Sequence, residues 1–379
     1  MVQLTARGKL IADEEQKKAL LETMELVNQV RNYLSEVAFR ERVANKVKLQ
    51  KISYREVRER FSVPAQYVVR AIASVCNAYK SKKKDRWKEK IEFRPHASID
   101  LDQRLVSFKG IDRVSINTVR GRLTIPVVWG EYFRERVAFR RGHSKLIYKD
   151  GEFYIAVVVE LPEGAVEPSR GCLGVDVGIK NMAVDSFGNF YGGEKVIKKR
   201  LHYREKRREL QKKLAQKKKE GKDTRSVRRA LKRIRKKERN FVRTKSHEVA
   251  KDIVLFAKAL SLAIAMENLK GIRERTTAKG KQNRYLLHSW NFRLLQSLIS
   301  YKAKLYGVPI VFVEPQNTSR TCPICGHVSK NNRKTQEKFK CEFCGFEEHT
   351  DFVGAINIAF KGLQSTSLMP PRGASSLIN

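Results

Sequence analysis

The period of the apolar positions changes several times along this chain. Residues 1–12 read as a strand, and Asp13 then opens a helix, with Gln16 three residues on as in a capping box. Leu20, Met24, Val27, Leu34 and Ala38 recur at helical spacing and predict one core-facing stripe to about Phe39. A second helical stretch covers roughly 52–81. Within it Ser62 is the expected N-cap and Pro64 the first-turn proline of the helix AQYVVRAIASVCNAY. From about 91 to 161 the pattern becomes strands: IEFRP, ASIDLD, RLVSFKG, VSINTVRGRLTIPVVW and HSKLIYKDGEFYIAVVVEL. Their lengths and Gly or Asp turns predict a small antiparallel sheet or barrel. The turn-rich EGAVEPSRG (163–171) places the main domain boundary.

Beyond it, CLGVDVGIKNMAVDSFGNFYG predicts strand, turn, strand. Helical spacing returns at Leu210 and Leu214 and again at Val227, Leu231 and Ile234, a helical hairpin broken near Gly221. Ser246 to about Leu260 reads as a separate amphipathic helix, and SLAIAM (261–266) as a short buried strand ending at Glu267. A helix over about 284–306 leads to the strand VPIVFVE (308–314). A cysteine module spans about 318–348, and DFVGAINIAFKG (351–362) predicts a short helix. The Ser/Pro-rich 363–379 is expected to be disordered.

Charge narrows the class of partner. Lys and Arg number 79 against 40 Asp and Glu, a formal net charge of +39 on 379 residues. Solubility needs far less, so a polyanion, above all nucleic acid, is the expected partner. The excess concentrates between Lys195 and Lys245, where 25 Lys/Arg face 5 Asp/Glu. No secretory signal is visible, and the most apolar stretch, Ile253 to Met266, is too short to span a bilayer and carries Lys258. Membrane residence is excluded on this reading, and a cytoplasmic, nucleoid-associated protein is expected.

Cys76 and Cys172 stand alone, whereas Cys322, Cys325, Cys341 and Cys344 form CPIC and CEFC separated by fifteen residues. This is the spacing of a four-thiolate structural zinc site, in which each CxxC turn presents two sulfurs. Gly326 and Gly345 follow the second cysteine of each pair, where a knuckle turn calls for positive φ. His327 is a weaker rival ligand, since the cysteine set is already complete.

Three acids occupy unusual places. Asp176 lies inside the apolar LGVDVGI, Glu267 ends SLAIAM, and Asp351 begins the helix after the cysteine module. Carboxylates at buried strand ends are costly unless a cation neutralises them. If the three converge they form an oxygen site for Mg²⁺ or Mn²⁺, suited to phosphodiester hydrolysis. Taken singly, each has a plainer reading: a turn acid, a strand-end acid near water and an N-cap. The order strand hairpin, strand, helix is how a ribonuclease-H-like fold gathers its acids.

These residues match a known family. Gly174-Val175-Asp176-Val177-Gly178-Ile179-Lys180, Glu267-Asn268-Leu269, and the CPIC…CEFC ribbon running into Thr350-Asp351-Phe352-Val353-Gly354-Ala355-Ile356-Asn357-Ile358 resemble the TnpB family, as does the N-terminal segment from Gln3 to Phe39. These are RuvC-type proteins of small insertion-sequence transposons, related to type V CRISPR effectors. The resemblance covers about 1–362. It departs from the family between Asp351 and Asn357, where FVGAI stands in place of the usual Asn and paired Ala.

The resemblance implies an α/β fold. Residues 163–317 would be a ribonuclease-H-like (RuvC) nuclease core with the basic hairpin 195–245, 318–348 an inserted zinc ribbon and 349–362 the last RuvC segment. Residues 1–162 would be a β-barrel-like and helical recognition lobe. It implies an RNA-guided endonuclease that cuts double-stranded DNA beside a short target-adjacent motif. The partners would be a guide RNA from the transposon end and the target DNA. Asp176, Glu267 and Asp351 would be the catalytic, Mg²⁺- or Mn²⁺-binding acids, and the four cysteines the zinc ligands. A catalytically silent RNA-guided repressor and a guide-independent nuclease or transposase remain alternatives.

Backbone contacts are expected first from the basic hairpin, including Arg207, Arg208, Arg228, Arg229 and Arg233. Smaller clusters are Arg134, Arg136, Arg140, Arg141 and Lys145, and Lys80, Lys82, Lys83, Lys84, Arg86 and Lys88. Tyr67, Arg70 and Tyr79 on the helix over 64–79 are candidates for reading a short DNA motif, with a core role for the tyrosines as the alternative.

Overall fold

A computed structural model describes residues 1–81, 87, 89–269, 284–286, 292–335 and 337–365. Lys82, Lys83, Lys84, Arg86 and Lys88 lie outside the described residues, as does the tail from 366. The chain divides into two compact units, Met1–Pro162 and Glu163–Asn379.

The first unit joins a helical part to a seven-stranded sheet. Strand β1 (Val2–Leu10) sits in its middle, antiparallel to both β7 (Glu152–Leu161) and β5 (Gly121–Trp129). The full order is β2 (Ile99–Leu101), β6 (Arg140–Lys149), β7, β1, β5, β4 (Arg113–Thr118), β3 (Val106–Lys109). The two outermost strands, β2 and β3, are consecutive in the chain, and the amides of Leu105 and Val106 both donate to the Asp102 carbonyl. So tight a turn reaches less than the ~17 Å of five extended residues, which brings the sheet's edges together as a near-barrel.

Asp13 caps α1 (Glu14–Arg40), with both arms of the capping box to Gln16 in place. Two shorter helices, α2 (Lys46–Arg60) and α3 (Ala65–Lys80), replace the single stretch expected over 52–81, and a single-turn helix, α4 (Glu131–Arg134), follows β5. Ser62 does not cap α3: Pro64 holds that position without a side-chain bond, after a turn in which Val63 N–H donates to the Phe61 carbonyl. Leu34, Leu49, Val57, Val68 and Ile72 form the helical core.

IEFRP is not a strand. Polar side chains on one face of α1 bind its backbone instead. Ser35 donates to the Ile91 carbonyl at 2.6 Å, Asn32 pairs with both backbone groups of Phe93, and Asn28 donates to the carbonyls of Pro95 and Ala97. The helix thus supplies the partners that a neighbouring strand would.

The second unit is built on a five-stranded sheet of order β10 (Phe190–Gly192), β9 (Asn181–Asp185), β8 (Gly171–Asp176), β11 (Leu262–Glu267), β12 (Ile310–Val313). β8, β9 and β10 pair antiparallel, whereas β8, β11 and β12 run parallel. The crossover from β10 to β11 is the basic hairpin, α5 (Glu194–Lys219) and α6 (Arg225–Ala259), turned at Gly221 with φ +65°. α6 runs unbroken through Ser246, where a new helix was expected. The Ser246 hydroxyl donates to the Val242 carbonyl inside the helix rather than capping one, and the buried stripe continues through Val249 and Ile253.

Helices α6 and α7 (Phe292–Tyr306) cover one sheet face through Leu173, Val175, Ile253, Ile264, Met266 and Ile299. α8 (Thr350–Ser365) covers the other through Cys172, Ala263, Ala265 and Ile358. It extends three residues past the expected helix end, so 363–365 are helical rather than disordered. Between β12 and α8 lies the cysteine module, with the small hairpin β13 (Lys338–Lys340) and β14 (Glu347–His349).

Candidate metal centres and nucleic-acid surface

The four cysteine sulfurs converge, all lying within 4.8 Å of one another. Sγ of Cys322 is 3.6 Å from that of Cys344, and Cys325 stands 3.6 Å from Cys341. A disulfide needs about 2.05 Å, whereas four thiolates about 2.3 Å from one ion stand roughly 3.8 Å apart, so the set fits zinc. The two knuckles repeat one backbone plan. Gly326 N–H donates to the Cys322 carbonyl and Gly345 N–H to the Cys341 carbonyl, both glycines at φ +76°. His327 takes no part in the sulfur cluster; its ring stacks on Phe343.

Asp176 and Glu267 end adjacent parallel strands on the same side, one ladder position past the Val175–Met266 pair. Asp351 is in the first turn of α8, a favourable place for a carboxylate against the helix dipole. Small residues let α8 lie directly on β8. A Cβ on Gly174 would stand 2.0 Å from the Ala355 carbonyl oxygen, and one on Gly354 3.1 Å from Oδ2 of Asp176. All three acids are half-buried.

Burial, and then the charges of Glu267 and Asp351, hold the Asp176 carboxyl well above the usual range, with Arg333 opposing. Glu267 is likewise pushed up by burial and partly relieved by Thr318 and Lys361. The carboxylates therefore sense one another as like charges, the condition a cation would relieve. Among the described residues the carboxylate oxygens do not draw together as tightly as the sulfurs, which alone form a set within 4.8 Å.

Several groups around the acids carry no motif of their own. Asn181 Nδ2 donates to Oδ2 of Asp351 at 3.1 Å, Thr318 Oγ1 to Oε1 of Glu267 at 2.5 Å, and Gln296 Nε2 to the Glu267 carbonyl at 2.7 Å. Arg333, between the two cysteine pairs, adds a positive charge near Asp176. Only proximity to the motifs, as with Asn181 just past GVDVGIK, could have flagged them.

The expected nucleic-acid residues divide. Arg208, Arg228, Arg229 and Arg233 are exposed on α5 and α6. Arg207 is not free: its guanidinium is bound by Glu238 and the Tyr285 hydroxyl. Tyr67, only 1% exposed, donates its hydroxyl to the Asn117 carbonyl. It is a core residue and cannot stack on a base or read one. Tyr79 is equally buried, paired with Ser35. Arg70 is half-buried, its charge adding to the burial that lowers the Arg31 pKa.

No helix among the described residues is long and apolar enough to cross a membrane.

Comparison with known proteins agrees with these motifs. The family model described as "Probable transposase" (OrfB_IS605) matches residues 156–259, and "Cas12f1-like, TNB domain" matches 292–358. A TnpB-like protein of Methanocaldococcus jannaschii, MJ0751, is 29% identical over 285 residues, 70% of this chain and 96% of its own length. Cas12f1 of Syntrophomonas palmitatica, a CRISPR-associated endodeoxyribonuclease, is 29% identical over 222 residues. Cas12f2 of a Micrarchaeota archaeon is 32% identical over 229. These cover 56% and 58% of this chain, which spans only 43% and 42% of the respective Cas12f proteins. Among solved structures, a Cas12f1–sgRNA–target DNA complex superposes with TM-score 0.63 at 16% identity, over 92% of this chain and 83% of that one. With the transposase and TNB regions matched in chain order and a TnpB-like protein aligned over nearly its whole length, the chain is similar to TnpB-like and Cas12f proteins.

Proposed function

We propose that this protein is an RNA-guided, divalent-metal-dependent endonuclease acting on double-stranded DNA beside a short target-adjacent motif. The observation that carries the reading is the convergence of Asp176, Glu267 and Asp351, from β8, β11 and α8, at one end of the five-stranded sheet. Strand order 3-2-1-4-5, with the first three antiparallel and the rest parallel, supports a ribonuclease-H-like core over 163–317 and 349–362. Residues 318–348 are its zinc ribbon and 1–162 a recognition lobe. The relatives' names, an endodeoxyribonuclease and a TnpB-like protein, support the same class.

The three carboxylates would hold Mg²⁺ or Mn²⁺, which when bound activates water and stabilises the leaving oxygen of a phosphodiester. The chain's own residues orient this site. Asn181 and Thr318 fix one oxygen each of Asp351 and Glu267, Gln296 anchors the strand end, and Arg333 offsets part of the negative charge. The exposed arginines of α5 and α6 supply sequence-independent contacts to phosphates, as suits recognition delegated to base pairing.

The test is to purify the protein from cells carrying its flanking locus and sequence the RNA retained at high salt. One discrete RNA ending in sequence from beyond the locus is expected. Heterogeneous RNA or none contradicts guide dependence and favours a guide-independent nuclease.

A further inference from the structure

The cysteine module and the acid site are joined by a run of buried and part-buried hydrogen bonds. In the module, the fully buried Asn332 accepts the Glu342 N–H, next to Cys341, at 3.0 Å. Its amide donates to the carbonyls of Arg320 and His327, so it ties the second knuckle to the first. Arg320 and Thr321 both donate their backbone N–H to the carbonyl of Asn317, closing the turn that precedes Cys322. Asn357, on α8 six residues past Asp351 and itself buried, donates to the carbonyls of Thr318 at 2.7 Å and Thr321 at 2.8 Å. From this turn the Thr318 hydroxyl, 4% exposed, reaches the Glu267 carboxylate.

We propose that Thr318, held by Asn357, is a positioning residue through which the zinc-folded module sets the orientation of Glu267 and hence the affinity of the acid site for a divalent cation. The inference rests on reading Asp176, Glu267 and Asp351 as that cation site. Its physical basis is that a carboxylate ligand loses affinity when the group orienting it is removed, commonly about 10–100-fold. The turn carrying Thr318, Gln316 to Thr321, has no apolar residue of its own to bury. Asn357 and Lys361 of α8 hold it on one side and the first cysteine knuckle on the other, so losing zinc frees the support on the knuckle side.

The full-length protein without nucleic acid is titrated with Mn²⁺ and binding is read by electron paramagnetic resonance. Thr318→Val is expected to weaken Mn²⁺ binding about tenfold, while Thr318→Ser, which keeps the hydroxyl, stays within about twofold of wild type and both retain zinc. Stripping zinc with a chelator should weaken binding by a similar factor in wild type but add less than about twofold in Thr318→Val, because both act through one contact. Thr318→Val binding like wild type overturns the proposal, as does zinc loss adding its full factor on top. If zinc removal unfolds the unit, the Val and Ser pair decides alone. If wild type binds Mn²⁺ no better than Asp176→Ala, the cation site itself is refuted, an outcome distinct from failure of the Thr318 link.

Discussion

Gly354 of α8 faces the Asp176 carboxylate so closely that a Cβ there would come within 3.1 Å of Oδ2. Gly174, on the same strand as Asp176, leaves no room at all, with the backbone of Ala355 and Ala359 at 2.0 and 2.4 Å from its would-be Cβ. The two glycines therefore respond differently to substitution. Gly354→Ala asks a carboxylate to move by a few tenths of an ångström while gaining about 1 kcal/mol of helix propensity. It should leave stability unchanged or raised. Gly174→Ala forces backbone apart and should destabilise the unit by more than about 3 kcal/mol. Thermal melts of the two variants check this; equal effects would refute the close seating of α8 on β8.

The raised Asp176 carboxyl gives a pH signature in the metal-free protein. Between the ordinary carboxylate range and its raised value, the folded state binds more protons than the unfolded one. Stability therefore falls as pH rises through that window. Asp176→Asn removes the buried like charge, so it should flatten that slope and stabilise the metal-free chain near neutral pH by on the order of 1 kcal/mol. Denaturation curves across pH test this. A steeper slope in the variant would be the wrong sign.

Much of this site was legible in the sequence, for identifiable reasons. The cysteine spacing and the knuckle glycines are local signals, and so is the Asp13–Gln16 capping box, all found as expected. What was illegible depends on distant partners. IEFRP has strand composition, yet Asn28, Asn32 and Ser35, some sixty residues earlier, take its backbone groups. Thr318 and Asn181 look like ordinary loop and strand-start residues until the fold brings Glu267 and Asp351 beside them. Tyr67 sat among candidate DNA readers because helical spacing alone does not tell which face of a short helix is buried.

Within the basic hairpin, charge alone does not assign a role. Arg207 has a side chain 23% exposed and is committed to Glu238, whereas Arg208 is 69% exposed. Arg207→Ala should cost stability by about 2 kcal/mol or more, because it removes the guanidinium that pairs with the buried Glu238. Arg208→Ala should leave the melting temperature within about 1 °C but weaken nucleic-acid binding and flatten its salt dependence. Paired melts and salt-titrated binding separate the two; a stability loss for Arg208→Ala would contradict the assignment.

The cysteine site should hold one zinc, detectable by metal analysis of the purified chain. Cys322→Ser or Cys341→Ser should abolish it and expose the buried Phe339 and Val353, which pack beside the cysteines. Protease cleavage confined to the module after metal loss is the expected readout. Retention of zinc by both variants would point to a different ligand set.

The central claim is that Asp176, Glu267 and Asp351 cut DNA under RNA guidance. It is tested most directly by incubating the purified protein with its co-purified RNA, Mg²⁺ and a double-stranded DNA matching that RNA. The wild type should cleave the matched DNA alone, with loss of about 10³-fold or more in Asp176→Ala at unchanged RNA binding. Cleavage that survives Asp176→Ala, or that ignores the RNA sequence, would contradict the account.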